Sequence, residues 1–191
     1  MIKYNIKTFI TLIVIITVLT FCGFSVLTGN TSINSVSNIW PNIGKSATAV
    51  FFVVLIFEKW AWKWKKFQGW LVSTPNIQGE WKGHMKYKHK GKDCEKDFDV
   101  KIIQSFLYIS VCIKTDESIS NSVTATFDID KERGIRKLIY TYRNEPKIVF
   151  RKKSPIHYGT SALSISDDFN EMEGYYWTDR NTQGELRITK K

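Results

Sequence analysis

Residues 8–28 form an apolar stretch of 21 residues that contains no Lys, Arg, His, Asp or Glu. As an α-helix rising about 1.5 Å per residue, this stretch would span roughly 30 Å, the thickness of the hydrocarbon core of a bilayer. A helix on the surface of a soluble protein would carry polar residues along one face, and this stretch does not. It therefore predicts a transmembrane helix. A cleaved signal peptide is the alternative, but its apolar run usually has about 7–15 residues and ends in an A-x-A-like site, which is missing here.

A second apolar segment runs from residue 39 to residue 57, with residues 47–57 as its uninterrupted part. Pro41 is compatible with the first turn of a helix, and the long side chain of Lys45 can extend to the membrane interface. This segment predicts a second spanning helix, with a re-entrant or interfacial helix as the alternative because the uninterrupted part is short. Tryptophans flank it, as is typical of the interface between lipid and water: Trp40, Trp60, Trp62, Trp64 and Trp70.

The lysines predict the orientation of this helical hairpin. Residues 1–70 hold seven lysines and one glutamate, and the lysines lie mostly before the first helix and after the second (Lys3, Lys7, Lys59, Lys63, Lys65 and Lys66). The loop between the helices, residues 29–38, has none. Because positive residues collect on the cytoplasmic side, both chain ends are expected there. The three scattered cysteines match no disulfide framework or zinc pattern, which favours a reducing compartment.

From residue 78 onward the apolar residues recur with a period of two, which is typical of strands with one face in water. In the first such segment, Trp81, Gly83, Met85 and Tyr87 alternate with polar residues. Segments of the same kind follow, among them Val123, Ala125, Phe127 and Ile129 on one predicted face. Eight short strands with turn residues between them predict an all-β, eight-stranded antiparallel barrel over residues 71–191, following a transmembrane hairpin in residues 1–70 with a Trp/Lys-rich interfacial linker. A two-sheet sandwich is the alternative.

Polar and aromatic residues stand at positions where the interior of a barrel should be apolar. Gln104 shares a face with Phe98, and Tyr140 and Tyr142 share one with Leu138. Tyr176, Thr178 and Arg180 form another such group. Tyrosines can stack on bases, while Arg and Thr bind phosphate oxygens, so the mixture suits a nucleotide. The alternative is that these residues pair with one another near the rim. Neither a catalytic constellation nor metal-ligand spacing occurs in the sequence, so we expect no enzyme activity, no metal and no cofactor.

The whole chain resembles a known family, the two-transmembrane, β-strand-rich membrane effectors of bacterial cyclic-oligonucleotide-based antiphage signalling (CBASS). Three segments carry the resemblance in this order: a G-x-W-x-G start to the barrel, an H-x-G-T segment, and a late G-Y-Y-W-T-D-R-x-T-x-G segment. The matching residues are Gly79, Trp81 and Gly83; His157, Gly159 and Thr160; and Gly174, Tyr176, Trp177, Thr178, Arg180, Thr182 and Gly184.

The resemblance implies that the barrel binds a cyclic dinucleotide made by a partner nucleotidyltransferase (a CD-NTase) during phage infection. The helices would then form a homo-oligomer in the lipid bilayer of the bacterial inner membrane and disrupt it, causing abortive infection. No DNA or RNA partner is expected. The expected ligand-binding residues are Trp81, Gln104, Tyr140, Tyr142, His157, Tyr176, Thr178 and Arg180. A tethered barrel that carries a lipid or small molecule, and a solid barrel that serves as an adaptor, are the alternatives.

Overall fold

The computed structural model describes residues 6–29, 36–89, 91–130 and 132–191, with the side chains of residues 6, 36–38 and 89 left aside. The chain divides into two compact units, Lys3–Ser73 and a unit built on Thr74–Lys191. Most of the predicted loop between the helices, and Lys3, which entered the orientation argument, lie outside the described residues.

Two helices precede the barrel: α1 spans Ile6–Leu27 and α2 spans Val36–Lys59. Both contain a segment long and apolar enough to cross a membrane, Lys7–Leu27 and Ile39–Lys59, as predicted. The start of the second helix differs from the prediction, because α2 begins at Val36 rather than at residue 39. Pro41 therefore lies in the second turn of α2, where its missing N–H leaves one backbone carbonyl of the first turn without its helical partner.

Polar side chains join the two helices near the ends that their loop connects. The Asn42 side chain, only 1% exposed, donates hydrogen bonds to Thr28 Oγ1 at 3.2 Å and to Ser25 Oγ at 3.4 Å. Nearer the other ends of the helices, the rings of Phe9 and Phe57 lie 5.7 Å apart. Hydrogen bonds between helices in an apolar medium contribute about 0.6–2 kcal/mol each, so Asn42 helps to fix the pairing of α1 with α2.

Two short 3-10 turns, Ala61–Lys63 and Lys65–Phe67, follow α2. Trp60, Trp64 and Trp70 are exposed, as residues of an aromatic belt should be. Trp62 differs from this expectation because it is fully buried. The spacing of the tryptophans and the composition of this segment do not distinguish Trp62, which packs inward, from its three exposed neighbours.

Eight strands form a closed antiparallel barrel in which each strand pairs with the next and the last pairs with the first. Their bounds are β1 Gly79–His89, β2 Lys92–Gln104, β3 Ile109–Lys114, β4 Ser118–Asp130, β5 Ile135–Pro146, β6 His157–Ile165, β7 Glu171–Thr178 and β8 Gln183–Lys190. The predicted eight-stranded barrel is confirmed, and the sandwich alternative is wrong. Closure leaves no sheet edge open to another chain.

Much of the hydrophobic core lies at the end of the barrel at which the chain leads into β1, and a few of its members, such as Ile113, Tyr142 and Leu186, lie toward the other end. Trp81 near the start of β1, Ile102 near the end of β2 and Leu138 near the start of β5 are all buried there. Other buried members of this core are Val100, Phe127, Leu163, Ile165, Met172 and Ile188. These side chains pack the interior at this end of the barrel.

The inward face predicted for β4 is wrong at one residue. Ala125, Phe127 and Ile129 point inward as expected, but Val123 is 62% exposed. The pairing of β4 with β5 shifts between Ser122 and Thr124, which marks a β-bulge. A bulge adds one unpaired residue and reverses the alternation from there on, so Ser120 and Phe127 face the interior although they are seven residues apart.

Candidate ligand-binding site

A cavity of about 200 Å³ opens at the end of the barrel opposite the hydrophobic core. It is formed where the odd-numbered strands end and the even-numbered strands begin. The side chains that line it come from all eight strands and from the connections between them. They are Met85, Tyr87, Lys96, Ile113, Thr115, Glu117, Ser118, Ser120, Tyr142, Asn144, Ser154, His157, Ser161, Tyr176, Thr178, Arg180, Thr182 and Leu186. Hydroxyl, amide and cationic groups predominate over aliphatic ones.

Two tyrosines form parts of the cavity wall two strands apart, and each lies across from a glycine. Tyr142 of β5 pairs with Gly159 of β6, and Tyr176 of β7 pairs with Gly184 of β8. A Cβ atom on Gly159 would clash with Cζ of the Tyr142 ring, and one on Gly184 would clash with the Lys86 carbonyl oxygen and lie 2.7 Å from Cε1 of the Tyr176 ring. Both glycines therefore make room for a ring, which explains their places in the H-x-G-T and D-R-x-T-x-G segments.

Buried tyrosine hydroxyls keep their protons in this barrel. Burial raises the pKa of Tyr140, which lies below the cavity, to about 12, and the Ser161 hydroxyl beside it opposes the shift. Burial likewise raises the pKa of Tyr176 to about 12 and raises the pKa of Tyr142, where the neighbouring Tyr140, Tyr176 and Asp179 add to the effect. All three hydroxyls are neutral near pH 7 and can donate as well as accept hydrogen bonds.

The tight turn between β7 and β8 presents Arg180 at the mouth of the cavity. The Thr178 hydroxyl lies 2.6 Å from that of Thr182 and accepts hydrogen bonds from the backbone N–H groups of Arg180 and Thr182. The Asp179 side chain accepts a hydrogen bond from the Tyr158 N–H at 3.0 Å, which ties the turn to β6. The turn is therefore held rigidly, and the exposed Arg180 guanidinium donates only to Ser154 Oγ among the described residues, at 3.0 Å.

A second polar group lies where β4, β5 and β6 meet the rim. Ser120 and Asn144 face one another across β4 and β5, and the Ser120 hydroxyl donates to Asn144 Oδ1 at 2.8 Å. Asn144 Nδ2 lies 3.5 Å from His157 Nδ1, which also approaches the Pro155 carbonyl oxygen at 2.9 Å. Nδ2 of Asn144 has two protons and one long contact, so it retains capacity to donate to a bound molecule.

The second cation of the cavity is Lys96, which reaches it from the inward face of β2. Its ammonium group lies 2.9 Å from a Glu117 carboxylate oxygen, in the connection between β3 and β4. This hydrogen bond, with the positive charge of Lys153, holds the pKa of Glu117 below its usual value. Lys96 is thus fixed at the cavity by Glu117, and Arg180 lies at the mouth with no carboxylate bonded to it among the residues described.

Five of the eight residues predicted to bind ligand line this one cavity: Tyr142, His157, Tyr176, Thr178 and Arg180. Tyr140 lies beneath, with its ring 5.9 Å from that of Tyr142.

Gln104 and Trp81 lie at the opposite end, where β2 ends and β1 begins. Gln104 Oε1 accepts from the Ile77 N–H at 3.0 Å, and its Nε2 donates to the Pro75 carbonyl at 2.9 Å. Trp81 Nε1 donates to the Ile77 carbonyl at 3.0 Å. These two side chains tie the segment before β1 to the barrel, so their polar groups are already satisfied by the protein.

Lys96, Asn144 and Ser161 line the cavity but were not predicted. The sequence does indicate that each of them faces the interior, because each lies two positions from an inward-facing residue of its strand. Lys96 precedes Phe98, Asn144 follows Tyr142, and Ser161 follows Gly159. A lysine next to acidic residues is ordinarily a surface residue, and only closure of the barrel brings Lys96 opposite Thr178 and Arg180. Glu117 and Ser154 lie in connections, where periodicity gives no indication.

Comparisons with known proteins identify the barrel. The family model described as "Cap15, cyclic dinucleotide receptor domain" matches residues 72–190. CD-NTase-associated protein 15 of Staphylococcus schleiferi is 37% identical over 148 residues, which are 78% of each protein. A protein of the same name from Yersinia aleksiciae is 32% identical over 138 residues, 70% of this chain and 64% of that protein. The match to the receptor domain spans the whole barrel, and the chain therefore belongs to the Cap15 family of CBASS effectors.

Proposed function

We propose that the cavity binds a cyclic dinucleotide and that the chain uses this event to disrupt the bacterial inner membrane during phage infection. The observation that carries the proposal is a polar cavity with two cations, Arg180 and Lys96, inside the domain that matches a cyclic dinucleotide receptor. The relatives are named as proteins associated with a CD-NTase, the kind of enzyme that would supply the ligand. The chain acts as a binding protein in this account, without catalysis.

The chemistry of a cyclic dinucleotide matches the groups that line the cavity. Its two phosphodiesters are anionic, and Arg180 and Lys96 donate charge-assisted hydrogen bonds of the kind that phosphate oxygens accept. Its two bases are flat, and Tyr142 and Tyr176 offer rings on which a base can stack. Thr178 and His157 lie between these groups and complete the proposed set of contacts. Tyr140 supports the ring of Tyr142 from below.

A lipid carrier requires a different interior. Such a barrel would enclose a long chain among aliphatic side chains, whereas only Met85, Ile113 and Leu186 are aliphatic among the eighteen residues that line this cavity. Residues with polar side chains make up most of its lining. These two observations favour the nucleotide ligand over a lipid.

Ligand binding drives assembly only if the assembled state binds the ligand more tightly than the free chain does. We propose that barrels with bound ligand associate, that their α1–α2 hairpins then form a homo-oligomer, and that this oligomer breaches the bilayer and ends in abortive infection. The lysines on both sides of the hairpin support an orientation with both chain ends in the cytoplasm, where a nucleotide messenger would be made.

Calorimetric titration of the full chain in detergent micelles tests the binding step. Cyclic di-AMP, cyclic di-GMP, cyclic GMP–AMP and cyclic UMP–AMP serve as probes. We expect at least one to bind, and Arg180→Ala to weaken that binding roughly 10- to 150-fold, as loss of a hydrogen bond to a charged group does. Arg133→Ala is the matched control, because Arg133 lies on the turn between β4 and β5 at the other end of the barrel. A chain that binds none of the probes contradicts the proposal.

Dye release from liposomes that contain the full chain tests the membrane step. The bound probe should cause release and, in light scattering, a larger assembly in micelles, and the Arg180→Ala chain should do neither at the same concentration of probe. Binding without release would separate recognition from membrane disruption and would refute the second half of the proposal.

A further inference from the structure

Two neighbouring hydroxyl groups, one in the lining of the cavity and one beneath it, are buried and make no hydrogen bond of ordinary geometry in the described part of the chain. They belong to Tyr140, which is 1% exposed, and to Ser161, which is 0% exposed. A buried polar group without a partner costs about 1–3 kcal/mol, and native structures hold few of them. Two such groups side by side at the floor of a cavity call for an explanation.

The strand register places these hydroxyls at one level of the barrel. Tyr140 of β5 pairs with Ser161 of β6, and Ser161 pairs with Tyr176 of β7. Ser161 lines the cavity, and the rings of Tyr142 and Tyr176 stand above it as walls. A molecule that enters between the two rings therefore reaches the floor at Ser161, beside Tyr140.

The size of the cavity limits what can enter. Pockets that enclose a whole drug-sized ligand measure about 300–1,000 Å³, and this cavity measures about 200 Å³. It has room for one nucleobase, so a cyclic dinucleotide that inserted one base would keep its phosphates and its second nucleotide outside, near Arg180 at the mouth. The leading edge of an inserted base carries the donors and acceptors that distinguish one base from another.

We propose that Tyr140 and Ser161 determine base specificity by hydrogen-bonding the edge of the one base that enters the barrel. The proposal rests on the cyclic dinucleotide function above and adds to it that a single base is read, by two hydroxyls that stay unpaired until the ligand binds. Both hydroxyls are neutral, and each can donate or accept a hydrogen bond, so together they can match a donor and an acceptor on the base.

Two substitutions, Tyr140→Phe and Ser161→Ala, test this in the full chain. A hydroxyl with a structural partner would cost stability when it is removed, whereas removing an unpaired one is neutral or stabilising. We therefore expect the melting temperature without ligand to stay the same or rise in both variants. At the same time, affinity for the best-bound cyclic dinucleotide should fall roughly 2- to 12-fold for each hydroxyl removed, and the preference among probes with different bases should narrow.

Thr160→Ala is the matched control, because Thr160 is next to Ser161 but faces outward and its hydroxyl lies 3.1 Å from that of Thr141. Loss of this paired hydroxyl should lower the melting temperature slightly and leave ligand affinity unchanged, the opposite of the result for Ser161. If the wild type binds a probe, and both Tyr140→Phe and Ser161→Ala bind it with the same affinity and base preference as the wild type, the base-reading proposal is overturned and the proposed function stays in place. A lower melting temperature of both variants without ligand would overturn it independently, and a wild type that binds no probe would overturn both.

Discussion

Gly159→Ala should collapse the cavity wall that Tyr142 forms. The added Cβ would lie 2.4 Å from both Cζ and Oη of the Tyr142 ring, and 3.0 Å from the Trp177 carbonyl oxygen. The ring must turn or shift, and the open side is the cavity. Overpacking of this kind lowers the stability by about 1–3 kcal/mol. Replacing a glycine that has an ordinary backbone conformation raises the stability by about 0.4–1 kcal/mol, because the unfolded chain loses conformational entropy.

The net loss of stability is therefore at most about 2.6 kcal/mol and centres on about 1.3 kcal/mol, which corresponds to a melting temperature lower by roughly 4–8 °C in a barrel of this size. Thermal unfolding of the full chain measures it, with Ser164→Ala, an exposed residue of the same strand, as control. Affinity for the bound cyclic dinucleotide should fall at least about tenfold, since a displaced ring occupies the space of the base. In the Gly159→Ala/Tyr142→Leu double variant the clash is removed, so part of the stability should return. A Gly159→Ala chain with unchanged melting temperature and affinity would refute the account of this wall.

Three further predictions concern other parts of the barrel. Gln104→Ala should lower the free energy of unfolding in urea by about 2–4 kcal/mol, because it leaves the Ile77 N–H and the Pro75 carbonyl without their partners, and ligand affinity of the folded chain should not change. Lys96 holds the pKa of Glu117 below its ordinary value of 4.5. The stability that this pair adds should therefore be present above about pH 4.5 and be lost as the pH falls through the lower pKa of the folded state. In melting curves, a Glu117→Gln chain should not show this loss of stability in acid. The pKa of Tyr176 is raised from 10.0 to about 12 by burial, so its contribution to stability should be complete below pH 10 and be lost between about pH 10 and 12, a loss that a Tyr176→Phe chain should not show.

Much of the barrel follows from the period-two pattern alone. Trp81, Ile102, Leu138 and Met172 are buried as the alternation indicates, because a closed barrel has only an inside and an outside and each strand must present its apolar face inward. The pattern fails at Val123, since a β-bulge depends on how two strands pair and leaves no mark in the composition of one strand. The two long apolar helices were predictable for the same reason as the strands, namely a strong local pattern.

The site was only partly predictable, because alternation gives the face of a residue and not its height in the barrel. Gln104 and Tyr142 both point inward, but the register places Gln104 at the end where the chain leads into β1 and Tyr142 at the cavity. Lys96 was missed for a related reason, since its contact with Glu117 requires the β3–β4 connection to lie beside the start of β2. The role of Gly159 depends on the Tyr142 ring across the strand pair, and the pattern of a single strand does not indicate that neighbour.

Hydrogen exchange of the full chain, with and without a bound cyclic dinucleotide, tests the central claim most directly. The claim is that the ligand binds at the end of the barrel away from the hydrophobic core. We predict slower exchange of backbone amides in residues 157–161 and 178–184, which form the floor and the mouth of the cavity, and no change in residues 102–109 at the other end. Slower exchange confined to residues 102–109, or none in either region while the ligand is bound, would contradict the account.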